Sequence, residues 1–344
     1  MPLFGSPVDG DIYPDNPEEC DVVNPPGFEF PGPAERSAWV VRQRPDRNVQ
    51  RRALRMDRAA GWIEEREPDG SGVHRRVVTV FLTNRECPWR CLMCDLWQHT
   101  TLETVPAGAI AAQIGGVLEV APAPEVIKLY NAGSFFDPGA IPPSDHESIA
   151  NLVRSIPRVV VECHPLLVGP RVRTFSQRLR GSRLEVALGL ESVHAEVLER
   201  LNKGMTVEDF VRAAGILRAM EVEVRAFVLV KPPFLGDGEA LEWAVRSARV
   251  AFESGAGVVS LIPTRMGNGS LEVLARHGHF AEPSLDLLED VVDRVVGLGG
   301  GRVFVDLWDL ARFGAGAPQF AARRARLEAM NLSQQILPRI TLPA

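Results

Sequence analysis

Three cysteines lie close together in the segment Cys87-Pro-Trp-Arg-Cys91-Leu-Met-Cys94. Thiolates are the ligands of iron–sulfur clusters, and a four-iron cluster offers one ligand position at each iron, so three thiolates leave one iron open to bind another molecule. The chain has five cysteines, an odd number that does not suggest a disulfide framework. The spacing predicts one [4Fe-4S] cluster on Cys87, Cys91 and Cys94, in a reducing compartment.

The residues alone leave two other interpretations of this segment open. His99 would complete a zinc site of three cysteines and one histidine, although the spacing C-x3-C-x2-C-x4-H differs from the paired two-residue spacings usual for zinc. The second alternative is that the cysteines only pack in the core or serve as redox thiols. Cys20 and Cys163 are too few for a second cluster, and Cys163 is expected to be a buried, small, apolar side chain.

From residue 77 onward, short β-branched runs alternate with longer helical patterns, which is typical of a parallel sheet with crossover helices. Strands are predicted at 77–83, 126–130, 159–162, 184–190, 222–230 and 258–262, with a further helix and strand at 284–296 and 302–306 extending the core. Helices are predicted at 107–120, 146–155, 171–178, 195–220 and 239–253. Because these strands are apolar on both faces, we expect an open or closed α/β barrel with the helices outside. The cysteines follow the first predicted strand, at the end where such barrels build their sites.

This motif in this position resembles that of the radical S-adenosylmethionine (SAM) superfamily. The resemblance implies that the amino and carboxylate groups of SAM bind the open iron, and that SAM is cleaved reductively to a 5′-deoxyadenosyl radical. Met93 stands where the superfamily commonly has an aromatic residue beside adenine.

If SAM lies at the barrel mouth, the ends of the following strands provide its remaining contacts. In the place of the superfamily's Gly-Gly-Glu motif, a turn of small residues lets backbone carbonyls approach an ammonium group. The carboxylates of Glu162 and Glu191, at strand ends, would accept hydrogen bonds from ribose hydroxyls or from the ammonium group. Lys203 would contact the SAM carboxylate, and Ile262 would pack against adenine. The predicted residues are Asn131, Ala132, Gly133, Ser134, Glu162, His164, Gly189, Glu191, Lys203 and Ile262. Each assignment has a simpler alternative. The turn at 131–134 could be an ordinary turn, and Glu162 and Glu191 could cap the helices that follow. Lys203 could be solvated, and Ile262 could belong to a core strand.

Between residues 77 and 270 the chain is similar to the archaeosine synthase radical SAM subunit and, more distantly, to the Elongator catalytic subunit. The stretches 128–137, 189–192, 202–204, 231–235 and 262–270 carry this resemblance. It implies a partial TIM-like (β/α)6 barrel with N- and C-terminal extensions, and hydrogen abstraction from a nucleobase-type substrate such as a tRNA deazaguanine. A flavodoxin or ferredoxin is the expected electron donor. Lys231, at the end of the fifth strand, is expected to grip an anionic part of the substrate, with a purely structural cation as the alternative.

The net charge of −6 gives no general attraction to nucleic acid, and only 42–58 and 323–326 cluster arginines. If both segments meet at the mouth, they would follow an RNA backbone. A smaller nucleobase-like metabolite is the alternative substrate, and a zinc-stabilised nucleic-acid-binding module without catalysis is the alternative class of protein.

The expected organisation is a proline-rich arm at 1–37, a basic lead-in segment at 38–76, the barrel core at 77–270 and a C-terminal extension capping the barrel at 271–344. The beginning of the chain is acidic and proline-rich, and no apolar run has the length of a membrane span. A cytoplasmic enzyme is therefore expected, with a transferase, lyase or oxidoreductase outcome left open.

Overall fold

One sheet of eight strands forms the centre of the molecule, whose computed structural model describes residues 28–341. Its strands follow one another in sequence order: β1 (Gly61–Pro68), β2 (His74–Leu82), β3 (Val126–Asn131), β4 (Arg158–Cys163), β5 (Arg183–Glu191), β6 (Glu223–Val230), β7 (Val258–Pro263) and β8 (Arg302–Val305). From β2 to β8 all neighbours are parallel, while β1 pairs antiparallel with β2. The seven predicted strands are confirmed. The strand β1 was not predicted, although the Asp69-Gly70 turn that joins it to β2 is a hairpin signal.

Helices fill the crossover connections and both ends of the described chain. They are α1 (Pro33–Gln43), α2 (Asn48–Arg52), α3 (Ala109–Leu118), α4 (Asp145–Val153), α5 (Pro170–Arg178), α6 (Ala195–Arg200), α7 (Val207–Ala219), α8 (Asp237–Glu253), α9 (Ser270–Arg276), α10 (Leu285–Val296), α11 (Ala311–Gly314) and α12 (Phe320–Ser333). The helix predicted over 195–220 is two helices, because the segment 201–206 interrupts it where Asn202 and Gly204 both have positive φ.

The alternating side chains of the parallel strands separate two kinds of surface. Ile127 and Leu129 of β3 point toward the helices and are completely buried against them. Val126, Lys128 and Tyr130 of the same strand belong to the opposite, inner face. The helix-facing side holds the main core, so the inner face is left to carry polar groups.

A network of buried charges crosses the inner face. Arg225 on β6 donates to Glu185 on β5 at 2.6 Å and to Glu67 on the distant strand β1 at 2.9 Å, and Lys128 pairs with Glu67 at 2.6 Å. Arg302 on β8 donates to the carbonyl of Pro68 at the end of β1 at 3.0 Å. Strands this far apart in the sheet order meet only if the sheet curls. The predicted partial barrel is therefore confirmed, with β1 as an additional strand.

The last helix protects the open edge of the sheet. The side-chain amide of Asn331 bonds both the N–H and the carbonyl of Val305, and that of Gln334 does the same for Val303, at 2.7–2.9 Å. These amides replace a neighbouring strand along β8, which would otherwise expose unpaired backbone groups. The last helix therefore covers the open edge of the sheet at β8.

The predicted arm over 1–37 falls mainly outside the described residues. Its last five residues, 33–37, are helical rather than extended, because Pro33 occupies the first helical position, where a fixed φ and a missing N–H are tolerated. No helix among residues 28–341 has both the length and the apolar character needed to cross a membrane.

We expect Arg225→Met to lower the free energy of unfolding by about 3–5 kcal/mol, because it leaves Glu67 and Glu185 buried without their main partner. Although burial alone would raise it, the charges of Arg225 and Lys128 hold the pKa of Glu67 well below its usual range. Arg183→Met is the control, since that arginine is exposed and 3.8 Å from its partner Glu223. Urea unfolding measures both variants. If both variants lost the same free energy of unfolding, the buried network would stabilise the fold no more than a surface ion pair does.

Candidate functional site

A cavity of about 270 Å³ opens at the carboxyl ends of the parallel strands. Most of the predicted site residues line it: Cys87, Cys91, Met93, Cys94, Asn131, Ala132, Gly133, Glu162, His164, Gly189, Glu191, Lys203 and Ile262. Ser134 and Lys231 do not. Residues predicted from separate strand ends thus meet around one space, as expected where parallel strands end at one rim.

The cysteine loop is held by backbone contacts from other parts of the mouth. The N–H of Leu92, in the middle of the loop, donates to the carbonyl of Leu201 at 2.8 Å, and its carbonyl accepts from the amide of Asn268 at 2.7 Å. The Leu92 side chain is completely buried beside Trp39 and Val40 of α1. These contacts fix the middle of the cysteine loop against other parts of the mouth.

The three thiols are shielded from water by the surrounding loop and strand ends. Burial raises the pKa of Cys87, Cys91 and Cys94 to about 12 each, so the metal-free thiols keep their protons at neutral pH and metal binding displaces them. Within residues 28–341 no three His, Cys, Asp or Glu side chains are grouped so as to hold one metal ion. Three thiolates are the ligand type that a four-iron cluster takes, one at each of three irons.

Gly133 explains how the β3 turn approaches the cysteine loop so closely. Its φ is +145°, and a Cβ at this position would lie 3.0 Å from the Cβ of Cys87. Only glycine combines that backbone conformation with that space. Next to it, the side-chain amide of Asn131 is buried and neither of its polar atoms has a hydrogen-bond partner in the described chain. Such an amide is suited to bind a ligand.

Lys203 and Glu191 form a buried ion pair at the end of β5. Glu191 has a φ of +64°, and the β5–β6 register shifts between Gly189 and Glu191. A Cβ on Gly189 would come within 2.2 Å of both the Glu191 carboxylate and the Lys203 ammonium. Although burial works to lower it, the pKa of Lys203 is raised by Glu191 and the neighbouring thiols. The strand end is therefore built around this charge pair.

Glu162 and His164 contribute uncharged polar groups to the cavity wall. Burial raises the pKa of Glu162 to about 8, although its carboxyl accepts the Asn131 N–H at 2.9 Å. Burial and the charge of Lys203 lower the pKa of His164 to about 4. Its Nε2 is 3.0 Å from the Lys203 carbonyl, which can only accept, so the proton is on Nε2. At neutral pH both side chains are uncharged.

Several cavity residues were not predicted. The Trp89 ring stacks on His164 with centroids 3.7 Å apart, and Arg44, Glu86, Thr264 and Arg265 also line the space. Trp89 lies inside the cysteine motif, so its position was a usable signal. Arg44 had none, because its partner Glu86 is distant in the sequence.

Two predicted residues have other surroundings. Lys231 pairs with Asp237 at 2.5 Å and donates to the carbonyl of Glu282 at 3.3 Å, away from the cavity lining. The hydroxyl of Ser134 is buried and donates to Cys163 at 3.6 Å, and that thiol donates to the His164 carbonyl. Cys163 is a packed, hydrogen-bonded thiol, as expected.

The expectation that the segments 42–58 and 323–326 follow an RNA backbone is wrong for Arg51, Arg323 and Arg326. Arg51 is buried and paired with Glu86. Arg323 and Arg326 are buried against Glu289 of α10. A desolvated, paired guanidinium is not free to bind phosphate. Arg52 and Arg58 remain exposed.

The chain is similar to archaeosine synthase subunit beta of Methanosarcina acetivorans, with 29% identity over 227 residues that cover 62% of this chain and 65% of the relative. It is 30% identical to archaeosine synthase subunit beta of Thermococcus kodakarensis over 129 residues, which cover 36% of this chain and 40% of that one. Both matches thus span less than two thirds of the relative. A queuine lyase from Clostridium spiroforme, solved with SAM and queuine, gives a TM-score of 0.44 at 18% identity, covering 58% of this chain and 78% of the other. No protein-family model matches. The predicted similarity to the archaeosine synthase subunit is confirmed.

The raised pKa of Glu162 predicts how stability depends on pH. Between about pH 5 and pH 8 the unfolded chain loses this proton and the folded chain keeps it, so the free energy of unfolding of metal-free protein falls as pH rises, by at most about 1.4 kcal/mol per pH unit. In Glu162→Gln this part of the slope disappears. Urea unfolding across the range measures it, with Glu125→Gln, at a side chain 43% exposed, as the control. Parallel slopes in wild type and Glu162→Gln would contradict the assignment.

Proposed function

We propose that this chain is a radical SAM enzyme. Cys87, Cys91 and Cys94 hold one [4Fe-4S] cluster, and SAM binds beside it in the cavity at the strand ends. The observation that carries the proposal is the meeting of three thiols, a buried Lys–Glu pair and an unpartnered amide around one cavity. The similarity to archaeosine synthase subunit beta supports it.

When bound, the cluster supplies the electron that cleaves SAM reductively and yields the 5′-deoxyadenosyl radical. The protein's part is to bind and orient. Lys203 has three N–H donors, of which the Glu191 carboxylate occupies only part, so the ammonium is able to hold the SAM carboxylate as well. Asn131 offers both a donor and an acceptor. Because residue 133 is glycine, the backbone of this turn is able to approach the SAM ammonium closely.

The inner face of the barrel suits a flat substrate. Phe227, Ala187 and Leu229 line the cavity below the cysteines, and the Tyr130 ring stands edge-on to Phe227 with centroids 6.1 Å apart. Apolar walls with a few neutral polar groups favour a nucleobase over a highly charged ligand. We therefore propose hydrogen abstraction from a nucleobase-type substrate, with a tRNA deazaguanine ahead of a small nucleobase-like metabolite because of the relatives' name.

The remaining parts of the proposal concern organisation and partners. The catalytic core spans 77–270, between the lead-in segment and a C-terminal extension. A flavodoxin or ferredoxin supplies the electron, and the enzyme works in the cytoplasm, where thiols stay reduced.

Cys87→Ala, Cys91→Ala and Cys94→Ala are each expected to abolish iron binding and SAM cleavage, because each removes one of the three thiolate ligands. Iron content and 5′-deoxyadenosine are measured after anaerobic reconstitution, and wild type should hold about four irons. Cys163→Ala is the matched control and should keep both, since that thiol is already satisfied by protein partners. Full iron content in any of the three variants would remove that cysteine from the ligand set.

Bulk tRNA is expected to bind at low salt and to dissociate as salt rises, because phosphate contacts release counterions. The double variant Arg52→Glu/Arg58→Glu should weaken binding and lower the salt slope by about one per lost phosphate contact. Arg183→Glu is the control, because this exposed arginine lies at the opposite end of the strands. Filter binding at two salt concentrations measures all three. Binding that is absent, or indifferent to salt and charge reversal, favours the small metabolite.

A further inference from the structure

Three arginines surround the carboxylate that directly precedes the cysteine motif. Glu86 accepts from Arg44 at 2.7 Å and from Arg51 at 3.0 Å, and Arg90 lies 3.3 Å away. The Glu86 side chain is only 13% exposed. An ion pair this enclosed has a fixed geometry, unlike a surface pair.

Arg51 is fixed from several directions. Besides Glu86, its guanidinium donates to the carbonyl of Thr100 at 2.9 Å, to the Thr100 hydroxyl at 3.0 Å and to the carbonyl of Thr101 at 3.3 Å. This single side chain therefore joins α2 to both sides of the cysteine loop, since Glu86 comes before the motif and Thr100 after it.

Arg44 connects the ion pairs around Glu86 with the edge of the cavity. It follows the end of α1, its guanidinium lies over the Trp97 ring at 4.6 Å from the centroid, and it lines the cavity together with the cysteines. Stacking on Trp97 and pairing with Glu86 restrict it to one orientation.

Charge is not balanced within this group. The arginines at 44, 51 and 90 face the single carboxylate of Glu86, and Asp95, which lines the same cavity, adds one more negative charge. One positive charge is left over beside the thiols. An excess cation is costly at a half-buried place unless an anion binds nearby, and a four-iron cluster held by three thiolates is an anion.

We propose that Glu86, Arg44 and Arg51 are positioning residues for the cluster, which shape the cysteine loop before the cluster binds and keep positive charge beside it afterwards. The inference rests on the proposed function, because the cluster itself belongs to that proposal. It also gives the buried arginines of the lead-in segment a role other than RNA binding.

The first test uses metal-free protein and a thiol reagent under native conditions. Glu86→Gln keeps the shape of the side chain and removes its charge, so we expect the three loop thiols to react about tenfold faster than in wild type. Glu199→Gln is the matched control. It also breaks an ion pair between an N-terminal arginine, Arg36, and the barrel, at 2.8 Å, but one that does not involve the cysteine loop. Circular dichroism verifies that both variants are folded.

The second test measures the midpoint potential of the reconstituted cluster by electron paramagnetic resonance. Reduction adds one negative charge, so Arg44→Gln should lower the potential and Glu86→Gln should raise it, while Glu199→Gln leaves it unchanged. Loss of shape alone would not shift the two variants in opposite directions.

The outcomes separate the two proposals. If wild type binds no iron, the proposed function and this inference both fall. If wild type binds iron and Glu86→Gln matches Glu199→Gln in thiol reactivity and potential, the inference alone is overturned. Faster thiol reaction together with opposite shifts of potential supports it.

Discussion

The ion pair between Glu67 on β1 and Arg225 on β6 is the interaction on which the shape of the barrel most depends. Parallel strands covered by helices form either an open sheet or a barrel. Here the inner face carries charges that water cannot fully solvate, so they pair across the concave side, and pairing requires the sheet to curl. Lys128 and Glu185 complete the same network. The curl then brings the carboxyl ends of the strands to one rim, where the cavity lies.

At that rim, charge is handled in a different way. Glu162 and His164 avoid charge, since burial raises the pKa of the first and lowers that of the second. Lys203 and Glu191 lie in contact there as an ion pair. The mouth therefore combines neutral polar groups with enclosed ion pairs, Lys203–Glu191 and Arg44–Glu86. This combination is the basis for the cofactor and substrate proposed above.

The N-terminal helices complete the mouth rather than forming a separate binding arm. The helix α1 and the segment after it contact the cysteine loop at Leu92 and Glu86 and the helix α6 at Glu199. The helix α1 also packs against α9. A basic stretch is usually a solvated helix face or a phosphate-binding surface. In this chain two of its arginines, Arg44 and Arg51, form ion pairs with Glu86. The stretch therefore supports the cysteine loop.

Much of the architecture could be predicted from local patterns. Seven strands follow from the periodicity of the apolar residues, because this pattern depends on neighbours in the sequence. The cysteine spacing likewise indicated metal chemistry, and polar residues after strands indicated a rim. The strand β1 was missed because its pairing depends on a hairpin whose alternation is weak.

What the sequence by itself determined was the set of chemical groups and the strands that carry them. Which groups meet was decided by the tertiary structure alone. Lys231 and Lys203 each follow directly on a secondary-structure element. In the fold Lys231 forms an ion pair with Asp237, whereas Lys203 lines the cavity. Arg51 reads as a surface charge in the sequence and is buried in the fold. The physical reason is that an ion pair depends on distance in space, and the partners of these side chains are brought near by the curl of the sheet and the packing of distant loops.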